Sequence, residues 1–543
     1  METFDYIVLG GGTAGCVVAA RLSESGRRRV LLLEAGGSDR RVWIRIPIGY
    51  GRTFNDPRVN WMYETEPDPG LAGRRIFWPR GKVLGGSGSI NGLIYVRGLP
   101  RDFDEWQALG NPGWGYRDVL PSFRKLEDYP GADSGARGEY HGRGGPIHVT
   151  EMARDAHPLC RTFIESCRRL GYPELADFNG SSAEGVGIYQ IATRAGLRES
   201  TASSYLRPAL RRSNLTLRLR AHALRIRFDG QRAVGVVHRH RGHTLEASAS
   251  RAVIVSLGAV NSPQLLQLSG VGDADLLQRH GIGLVTHLPQ VGRNLQDHLD
   301  FGYSYRTRVP TLNDEIYPFA GRLRAAMRYA LSRRGPLAMS INQSGGFVRS
   351  EATLADPNFQ LYCSPMSYDP AQWPRRRLLR PHAFSGFVLS VNPCRPSSRG
   401  RIEIRSADPL DPPRIFAQYL STEHDAAEAV AGARLLHTIA ASAPLSDVIA
   451  SPLESVARDA RDAKLLQDFR ARASTCFHPV GTCAMGPDPG SAVVDARLRV
   501  HGLSGLRIAD ASIFPTLTSG NTNTPTIMVA EKAAEAIREE EGD

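Results

Sequence analysis

The chain has 543 residues, of which 41% are hydrophobic and 22% charged, a composition that is ordinary for a globular protein. A chain of this length exceeds what one hydrophobic core usually supports, so we expect two domains that share an interface. The formal net charge is +12, but only four of the 67 basic residues are lysines. The arginines are scattered along the chain, which excludes a dense basic block of the kind that binds nucleic acid.

Cysteine usage and the apolar pattern together predict the compartment. Seven cysteines, odd in number and widely spaced, favour a reducing environment over a disulfide framework. None forms a C-x-x-C pair, so we expect no metal site. The first strand follows Met1 so closely that we expect no signal peptide, and no run of about 18 apolar residues predicts a membrane span. The sequence therefore predicts a cytoplasmic protein, either free or peripheral to the inner face of the membrane.

The first 36 residues predict a strand, a glycine turn, a helix and a second strand. The apolar run 6–9 is short and β-branched at its centre, as a strand buried on both faces should be. A helix over 14–25 and a second strand over 30–33 follow. Between the first strand and the helix, three glycines have the spacing G-x-G-x-x-G: Gly10, Gly12 and Gly15. This arrangement is typical of a dinucleotide-binding site.

Each part of this motif has a physical role. Gly10 permits the tight turn, Gly12 lets the backbone approach a pyrophosphate, and Gly15 lets the helix pack closely on the strand. The amino end of the helix presents unpaired N–H groups to the phosphates. Glu34, nineteen residues beyond Gly15, can accept hydrogen bonds from a ribose diol. The motif therefore predicts a bound dinucleotide, although it does not distinguish FAD from NAD.

A second glycine-rich stretch, 77–92, has five glycines within 81–92 and continues into the apolar segment 93–96. So many glycines cost conformational entropy, which close approach of the backbone to a flat ligand would explain. The alternative is a flexible linker, but the apolar residues within the stretch argue against it.

Further along the chain the pattern changes twice. An amphipathic helix over 157–169 opens an excursion into a second domain, and the strands 215–219, 224–228 and 233–239 alternate like an antiparallel sheet with a hairpin at Asp229-Gly230. The strand 251–257 has the pattern of a buried parallel strand and leads into a helix over 262–268.

Three motifs resemble the glucose-methanol-choline family of flavin oxidoreductases. They are the glycine fingerprint described above, the stretch Gly81–Asn91, and Gly258–Pro263 continuing through Ser269–Gly272. The similarity extends over essentially the whole chain and implies that the cofactor is FAD. Members that bind FAD covalently often have a histidine where this chain has Asn91, so the resemblance implies noncovalent FAD.

The predicted fold is α/β, with a Rossmann-type FAD-binding domain containing a parallel sheet and a second, α+β substrate-binding domain containing a mixed or antiparallel sheet. We expect the FAD-binding domain to comprise 1–155, 201–300 and 474–543, and the substrate-binding domain to comprise 156–200 and 301–473. The predicted FAD contacts include the motif glycines and Glu34. The full set is Gly10, Gly12, Thr13, Ala14, Gly15, Glu34, Ala35, Arg80, Val83, Gly85, Gly86, Ser87, Asn91, Gly92, Ala223, Asp510, Ala511, Asn521, Asn523 and Thr526.

The C-terminal segment holds the candidate catalytic residues. His478 precedes a proline and a glycine-rich turn, which would hold its imidazole in one direction. Asn521 precedes a last helix predicted over 527–538, where it either caps the helix or faces the flavin beside His478. In the family the catalytic base corresponds to His478 and its partner, His or Asn, to Asn521. The imidazole would remove a hydroxyl proton while hydride passes to the flavin N5, and Asn521 would donate a hydrogen bond to the substrate oxygen.

Four other residues have weaker indications. His298 lies in a loop, where we expect backbone contacts to satisfy it rather than a catalytic role. Cys476 corresponds to a family position facing the flavin, but its thiol could equally be packing. Phe477 and Gln343 are candidates for contact with the substrate. Choline-oxidising relatives have a carboxylate where this chain has Gln343, so the neutral amide argues against choline.

The resemblance implies an FAD-dependent alcohol dehydrogenase or oxidase. Its substrate would be a small-molecule alcohol, and its electron acceptor a quinone, a dye or dioxygen. A lyase on the same scaffold, either a hydroxynitrile lyase or a decarboxylase, is the alternative, and a non-catalytic flavoprotein is the third hypothesis. The cyanohydrin lyases have a His/His pair that Asn521 does not provide. Neither the particular alcohol, nor the oligomeric state, nor the choice between oxidase and dehydrogenase is predicted.

Overall fold

A computed structural model of the chain describes residues 2–133, 137–369, 380–454, 456, 459–540 and 542. Its strands are β1 (Glu2–Leu9), β2 (Val30–Glu34), β3 (Tyr63–Glu64), β4 (Phe77–Trp78), β5 (Glu127–Asp128), β6 (Ile147–Glu151), β7 (Gly185–Ile188), β8 (Gln190–Arg194), β9 (Leu197–Arg198), β10 (Leu215–Leu219), β11 (Ala221–Asp229), β12 (Arg232–His240), β13 (His243–Val255), β14 (Val271–Gly272), β15 (Thr286–His287), β16 (Leu299–Thr307), β17 (Ser344–Val348), β18 (Phe359–Ser364), β19 (Gly386–Pro393), β20 (Arg401–Glu403), β21 (Arg414–Phe416), β22 (Ile449–Pro452), β23 (Ser474–Thr475) and β24 (Leu506–Ile508).

Helices connect and cover these strands. They are α1 (Thr13–Leu22), α2 (Val42–Arg45), α3 (Tyr50–Thr53), α4 (Pro100–Ala108), α5 (Tyr116–Leu126), α6 (Arg137–Tyr140), α7 (Pro158–Arg169), α8 (Arg207–Ala209), α9 (Gly258–Leu268), α10 (Ala274–Arg279), α11 (Leu312–Ile316), α12 (Phe319–Ser332), α13 (Glu423–Ala440), α14 (Leu445–Val448), α15 (Asp462–Arg472) and α16 (Asn523–Glu540). In the described part of the chain, no helix combines the length and the apolar character needed to cross a membrane.

The parallel sheet predicted for the nucleotide domain is confirmed, and β1 lies inside it. β1 pairs in parallel with β2 on one side and with β13 on the other. β10 extends the sheet beside β2, and β24 pairs with β13, again in parallel. Ile7, Val8 and Leu9 have no solvent exposure, because α1 and the other helices cover both faces of these strands.

The hairpin between β11 and β12 also forms where the sequence predicts it. The two strands pair antiparallel across Asp229-Gly230, and Gly230 has a φ of +54°, as a tight turn requires. The prediction that 215–219 belongs to an antiparallel sheet is wrong, since β10 pairs in parallel with β2. The chain reaches β10 after a long excursion, and only a long connection allows a parallel pairing.

The second domain contains the predicted antiparallel sheet. Its strand order is β17-β18-β19-β16-β22, with β23 pairing to the first residues of β16. Helix α13 packs on β19, and a smaller sheet of β5, β6, β8 and β9 lies elsewhere in the fold. The segment 79–94 passes between the two main sheets, and Ile94 bridges to Ile191 of β8. This arrangement leaves a space between the sheets, and the site described below occupies it.

The tight junction between β1 and α1 generates a first prediction. A Cβ atom on Gly15 would lie 1.8 Å from the carbonyl oxygen of Gly10, so Gly15→Ala must push the helix off the strand. We expect this substitution to lower the free energy of unfolding by about 3 kcal/mol, the upper end of the usual cost of overpacking. Chemical denaturation measures it.

Gly283→Ala is the matched control for this prediction, because no atom lies within 4 Å of the added Cβ and its φ is not positive. The control should change the free energy of unfolding by less than about 0.5 kcal/mol. An unfolding midpoint of Gly15→Ala equal to that of the control would contradict the packing argument.

Candidate active site

A cavity of about 810 Å³ lies between the two main sheets. The carboxyl ends of β1 and β2 form one end of it, and the 79–94 segment and the amino end of α9 form its sides. Residues 476–479 line it as well, the segment 521–526 reaches from there to Thr13 of α1, and strands β16 and β18 contribute from the second domain. The cavity therefore brings together the nucleotide motif and the C-terminal segment, which are far apart in the sequence.

Most of the predicted FAD contacts line this cavity. These are Gly10, Gly12, Thr13, Ala14, Glu34, Ala35, Arg80, Gly86, Ser87, Asn91, Gly92, Ala223, Asp510, Ala511, Asn521, Asn523 and Thr526. Three predicted contacts, Gly15, Val83 and Gly85, are not on its wall. Gly15 lies at the helix–strand junction, Val83 is fully buried in an apolar cluster, and the N–H of Gly85 donates to the carbonyl oxygen of Gly11 at 2.7 Å. These three residues support the wall from behind.

The amino end of α1 faces the cavity without a cap of its own. Its N-cap residue is Gly12, and no side chain accepts a hydrogen bond from the first turn. Gly86 approaches so closely that a Cβ there would lie 2.7 Å from the Cα of Gly12, and its φ is +55°. The two glycine segments thus expose backbone N–H groups on a bare surface, which suits a pyrophosphate.

Glu34 occupies the end of β2, on the same wall. Its Oε2 accepts a hydrogen bond from the N–H of Gly11 at 2.9 Å, and its Oε1 accepts one from the N–H of Gly36 at 2.6 Å. Burial raises the pKa of this carboxyl to about 7, while the two N–H donors act in the opposite direction. Each oxygen retains a lone pair, so the residue can also accept from a ribose diol. The uncapped helix, the glycine cradle and this carboxyl together fit the pyrophosphate and ribose of FAD.

The 79–94 segment is held by a buried arginine from outside it. Arg198 donates to the Oδ1 of Asn91 at 2.6 Å and to the backbone oxygen of Asn91 at 2.7 Å. The same guanidinium donates to the carbonyl oxygens of Gly88 and Ile44. Burial among these neutral partners lowers the pKa of Arg198 to about 9. The side chain of Asn91 is therefore fixed, with its amide oxygen directed to the arginine.

The backbone before His478 is strained in a way that directs the histidine. Phe477 has a φ of +66°, a left-handed conformation that bulky residues rarely adopt. Arg80 donates to the carbonyl oxygen of Phe477 at 3.1 Å, and Thr475 accepts from its N–H at 2.7 Å. Asp297 accepts from the N–H of His478 at 2.8 Å. These bonds on both sides of the strained residue hold the conformation.

A series of hydrogen bonds determines the tautomer of His478. The Nε2 of His298 lies 2.9 Å from the carbonyl oxygen of Cys394, which can only accept, so this Nε2 carries hydrogen. The Nδ1 of neutral His298 is then an acceptor, and the Nδ1 of His478, 3.0 Å away, must donate to it. The Nε2 of His478 therefore bears a lone pair, and it lies 3.0 Å from the amide nitrogen of Asn521. Gln360 donates to the amide oxygen of Asn521, which fixes that side chain as well.

Both histidines are neutral at pH 7. Burial lowers the pKa of His478 well below its usual value, and the positive charge of Arg80 lowers it further. Burial also lowers the pKa of His298 to about 4, although its bond to the Cys394 carbonyl acts in the opposite direction. A neutral His478 with an unprotonated Nε2, which accepts a hydrogen bond from Asn521, is a base that can accept a proton.

The structure turns one predicted substrate residue away from the cavity. Gln343 is buried, and its amide oxygen accepts a hydrogen bond from the backbone N–H of His157 at 2.8 Å. Its neighbour Asn342 lines the cavity instead. Adjacent residues of an extended chain point to opposite sides, and the sequence pattern alone did not indicate which one faces inward. The argument against choline, which depended on Gln343, therefore has no structural basis.

The other two predicted substrate residues do line the cavity. Phe477 contributes to the wall next to His478. The Sγ of Cys476 lies 3.6 Å from the amide oxygen of Asn392, and burial raises the pKa of this thiol well above its usual value. Cys476 is therefore a protonated, hydrogen-bonded thiol on the cavity wall.

Two functional candidates were missed or misjudged in the sequence. His298 does contact a backbone carbonyl, as expected, but its other nitrogen orients His478. Asp300 lines the cavity, and its buried Oδ1 has no hydrogen-bond partner among the described residues. Burial raises the pKa of Asp300 to about 7. Because side chains alternate along an extended strand, Asp300 lies on the same face as His298, and this spacing was the signal available in the sequence.

The fold and the cavity define a nucleotide-dependent oxidoreductase. The chain belongs to the GMC oxidoreductase family, whose N-terminal part matches residues 4–300 and whose C-terminal part matches residues 396–530. The resemblance noted in the sequence is confirmed. Members of this family are FAD-binding flavoproteins that act on the CH–OH group of donors, so FAD is the cofactor.

Proteins similar to this chain resemble it over their whole length. It is 41% identical to an oxygen-dependent choline dehydrogenase of Vibrio vulnificus strain YJ016, covering 99% of this chain and 94% of that protein. It is 40% identical to an alcohol dehydrogenase (acceptor) of Pseudomonas putida, and the match covers 98% of this chain and 95% of that protein. The crystal structure of pyridoxine 4-oxidase from Mesorbium loti matches with a TM-score of 0.87 at 32% identity over 98% of both chains. These similarities support an alcohol or choline dehydrogenase or oxidase and give the lyase alternative no support.

Glu34 provides the test of the nucleotide end of the cavity. Glu34→Ala removes the ribose acceptor, so we expect FAD affinity to fall by roughly 1.5 to 3 kcal/mol, the usual contribution of a charge-assisted hydrogen bond. Glu34→Gln keeps the shape and one acceptor oxygen and should lose less. Titration of the apoprotein with FAD, followed by flavin fluorescence, measures both. An alanine variant with parental affinity would show that Glu34 is not at the ribose.

Proposed function

We propose that the protein oxidises an alcohol to an aldehyde or ketone, with His478 as the catalytic base. The observation that carries this proposal is the hydrogen-bond series through His298, which leaves a lone pair on the Nε2 of His478 beside the amide N–H of Asn521. A hydroxyl group needs one acceptor and one donor, and these two atoms supply them 3.0 Å apart on the cavity wall.

In the proposed reaction a substrate hydroxyl replaces the hydrogen bond between His478 and Asn521, donating to the Nε2 and accepting from the amide N–H. His478 removes the hydroxyl proton, and its own Nδ1–H remains bonded to His298, which stabilises the imidazolium that forms. Asn521 donates to the substrate oxygen as negative charge develops on it. Bound FAD supplies the acceptor for the hydride that leaves the carbon.

We also propose that Asp300 selects substrates with a cationic group. Asp300 lines the cavity two residues from His298, and one of its carboxylate oxygens is buried without a hydrogen-bond partner among the described residues. Tyr362 lines the same cavity, and aromatic faces attract quaternary ammonium groups. The similarity to a choline dehydrogenase supports this assignment. Choline or a related amino alcohol is the substrate class that fits best, and we assign its selection to Asp300 together with the domain comprising 301–473, which Asp300 directly precedes.

The remaining parts of the proposal concern the cofactor and its reoxidation. We assign noncovalent FAD, because the side chain at position 91 is an amide held by Arg198 and offers no imidazole for a covalent link. Reoxidation would use a quinone-type acceptor or dioxygen. A cytoplasmic location is supported by the cysteines, all seven of which are free thiols.

The roles of His478 and Asn521 can be separated by rapid kinetics. His478→Ala should slow reduction of the flavin by alcohol by about 10²- to 10⁴-fold, the usual contribution of general-base catalysis, while FAD stays bound. Asn521→Ala should slow it by roughly 10- to 10³-fold, because one hydrogen bond to the developing oxyanion is lost. Both residues act on one oxygen, so the double variant should be less than additive. Anaerobic stopped-flow absorbance measures all three rates.

His280→Ala, at the end of α10 and outside the cavity, is the control and should reduce at the parental rate. Full additivity in the double variant, or a His478→Ala enzyme reduced at the parental rate from pH 6 to 9, would refute these roles.

Asp300 generates a prediction about substrate charge and pH. Asp300→Asn should raise the KM for choline by about 10- to 100-fold, as expected for loss of a charge-assisted contact of roughly 1.5 to 3 kcal/mol. The KM for 3,3-dimethylbutan-1-ol, the neutral isostere of choline, should be the same in this variant as in the parental enzyme. In the parental enzyme the carboxyl is ionised only above its pKa of about 7, so the KM for choline should fall as the pH rises through 7. Equal effects of the substitution on both alcohols would contradict the assignment.

A further inference from the structure

Helix α12 buries only a narrow stripe. Its buried residues are Gly321, Ala325 and Tyr329, at four-residue spacing, and the hydroxyl of Tyr329 donates to the carbonyl oxygen of Gly196 at 2.9 Å. A Cβ on Gly321 would lie 2.1 Å from the carbonyl oxygen of Glu315, so the helix lies tightly on the protein along this stripe. The rest of its circumference faces outward.

The outward face of α12 is apolar along its whole length. Phe319 is 74% exposed, Leu323 51%, Met327 51% and Leu331 89%, again at four-residue spacing. At 100° per residue these side chains lie opposite the buried stripe and form one ridge about three turns long. Single exposed apolar residues are ordinary, but a continuous ridge of four large ones indicates a surface that is covered in use.

Arginines lie on both sides of this ridge. By helical position Arg322 is on one flank, and Arg324 and Arg328 are on the other. Arg328 lies 3.7 Å from Asp155. Arg322 and Arg324 have no ion-pair partner among the described residues, and α12 itself contains no acidic residue. The acidic residues of the preceding helix α11, at 314 and 315, lie beyond one end of the ridge.

Helix α2 also has exposed apolar residues. Val42 is 66% exposed and Trp43 40% exposed, and Arg45 of this helix is close enough to the Tyr329 hydroxyl to lower its pKa, although burial, the largest effect, raises it. The chain continues from α2 into Tyr50 and from α12 into Ile341, both on the cavity wall. Both helices are therefore followed in the chain by residues of the cavity wall.

We propose that the apolar ridge of α12, with its flanking arginines, docks on the surface of an anionic membrane. A helix with an apolar ridge between cationic flanks lies in the plane of the interface, with its ridge among the acyl chains and its arginines at the lipid phosphates. A second copy of the chain fits less well, because a symmetric contact would place the arginines of the two copies against each other. This inference goes beyond the proposed reaction and does not depend on it.

The test uses the FAD-loaded enzyme and vesicles of defined composition. The parental protein should co-sediment with vesicles containing phosphatidylglycerol, bind much less to pure phosphatidylcholine, and dissociate as salt is raised. The double variant Leu323→Glu/Leu331→Glu should bind the anionic vesicles at least about tenfold more weakly, and so should Arg322→Glu/Arg324→Glu. The matched control Arg279→Glu/Leu284→Glu makes the same changes of residue type at exposed positions elsewhere and should bind like the parent.

FAD content and the rate of flavin reduction by alcohol should be unchanged in all these variants, since none of the altered residues lines the cavity. Sedimentation velocity without vesicles tests the alternative that a second copy of the chain covers the ridge. Equal vesicle binding by parent and ridge variants, absence of binding by the parent, or a parental dimer that only the ridge variants convert to monomer would each overturn the proposal.

Discussion

The imidazole of His478 is held on three sides, and the chemistry of the site depends on that constraint. Asp297 holds its backbone N–H, His298 takes its Nδ1–H, and Asn521 lies against its Nε2. A carbonyl oxygen at the far end of the series has no proton to give, so the direction of every donor along it is determined. A histidine free to rotate would present Nε2–H as often as a lone pair. The carbonyl oxygen of Cys394 thus selects the tautomer of His478 that has a basic Nε2, through two hydrogen bonds in series.

This arrangement buries polar groups, and hydrogen bonds offset the cost of burying Asp297 and Arg80. Asp297 is buried, which raises its pKa to about 6, yet it accepts bonds from Thr475 and from Tyr419. Arg80 is buried as well, which lowers its pKa to about 10, and it donates to the backbone of the strained Phe477. Buried polar groups with partners rigidify a site, whereas unpartnered ones destabilise it. Asp300 and Tyr362 differ from these residues, because each has a buried polar oxygen without a hydrogen-bond partner among the described residues, and both line the cavity.

The sequence predicted what depends on local pattern. The strands at 6–9 and 30–33, the intervening helix and the hairpin at Asp229-Gly230 were each confirmed within a few residues, because apolar periodicity and glycine turns act over short distances. The parallel pairing of β10 was missed because it depends on how the chain returns from a long excursion. For the same reason local pattern could not show that His298 meets His478, 180 residues away. The prediction for Gln343 was wrong for a different reason. Neighbouring side chains of an extended segment point to opposite sides, so an error of one residue placed Gln343 in the cavity instead of Asn342.

The two walls of the cavity are built differently, one from backbone groups and the other from side chains. The nucleotide wall comes from backbone groups of glycine segments that have little room to vary, as the close contact between Gly12 and Gly86 shows. The substrate wall comes from side chains of β16 and β18, whose backbones are fixed by antiparallel pairing. A side chain on such a strand can change without moving its neighbours. Asp300 is such a side chain on β16, and Asp297 and His298, which hold His478, come just before it in the chain.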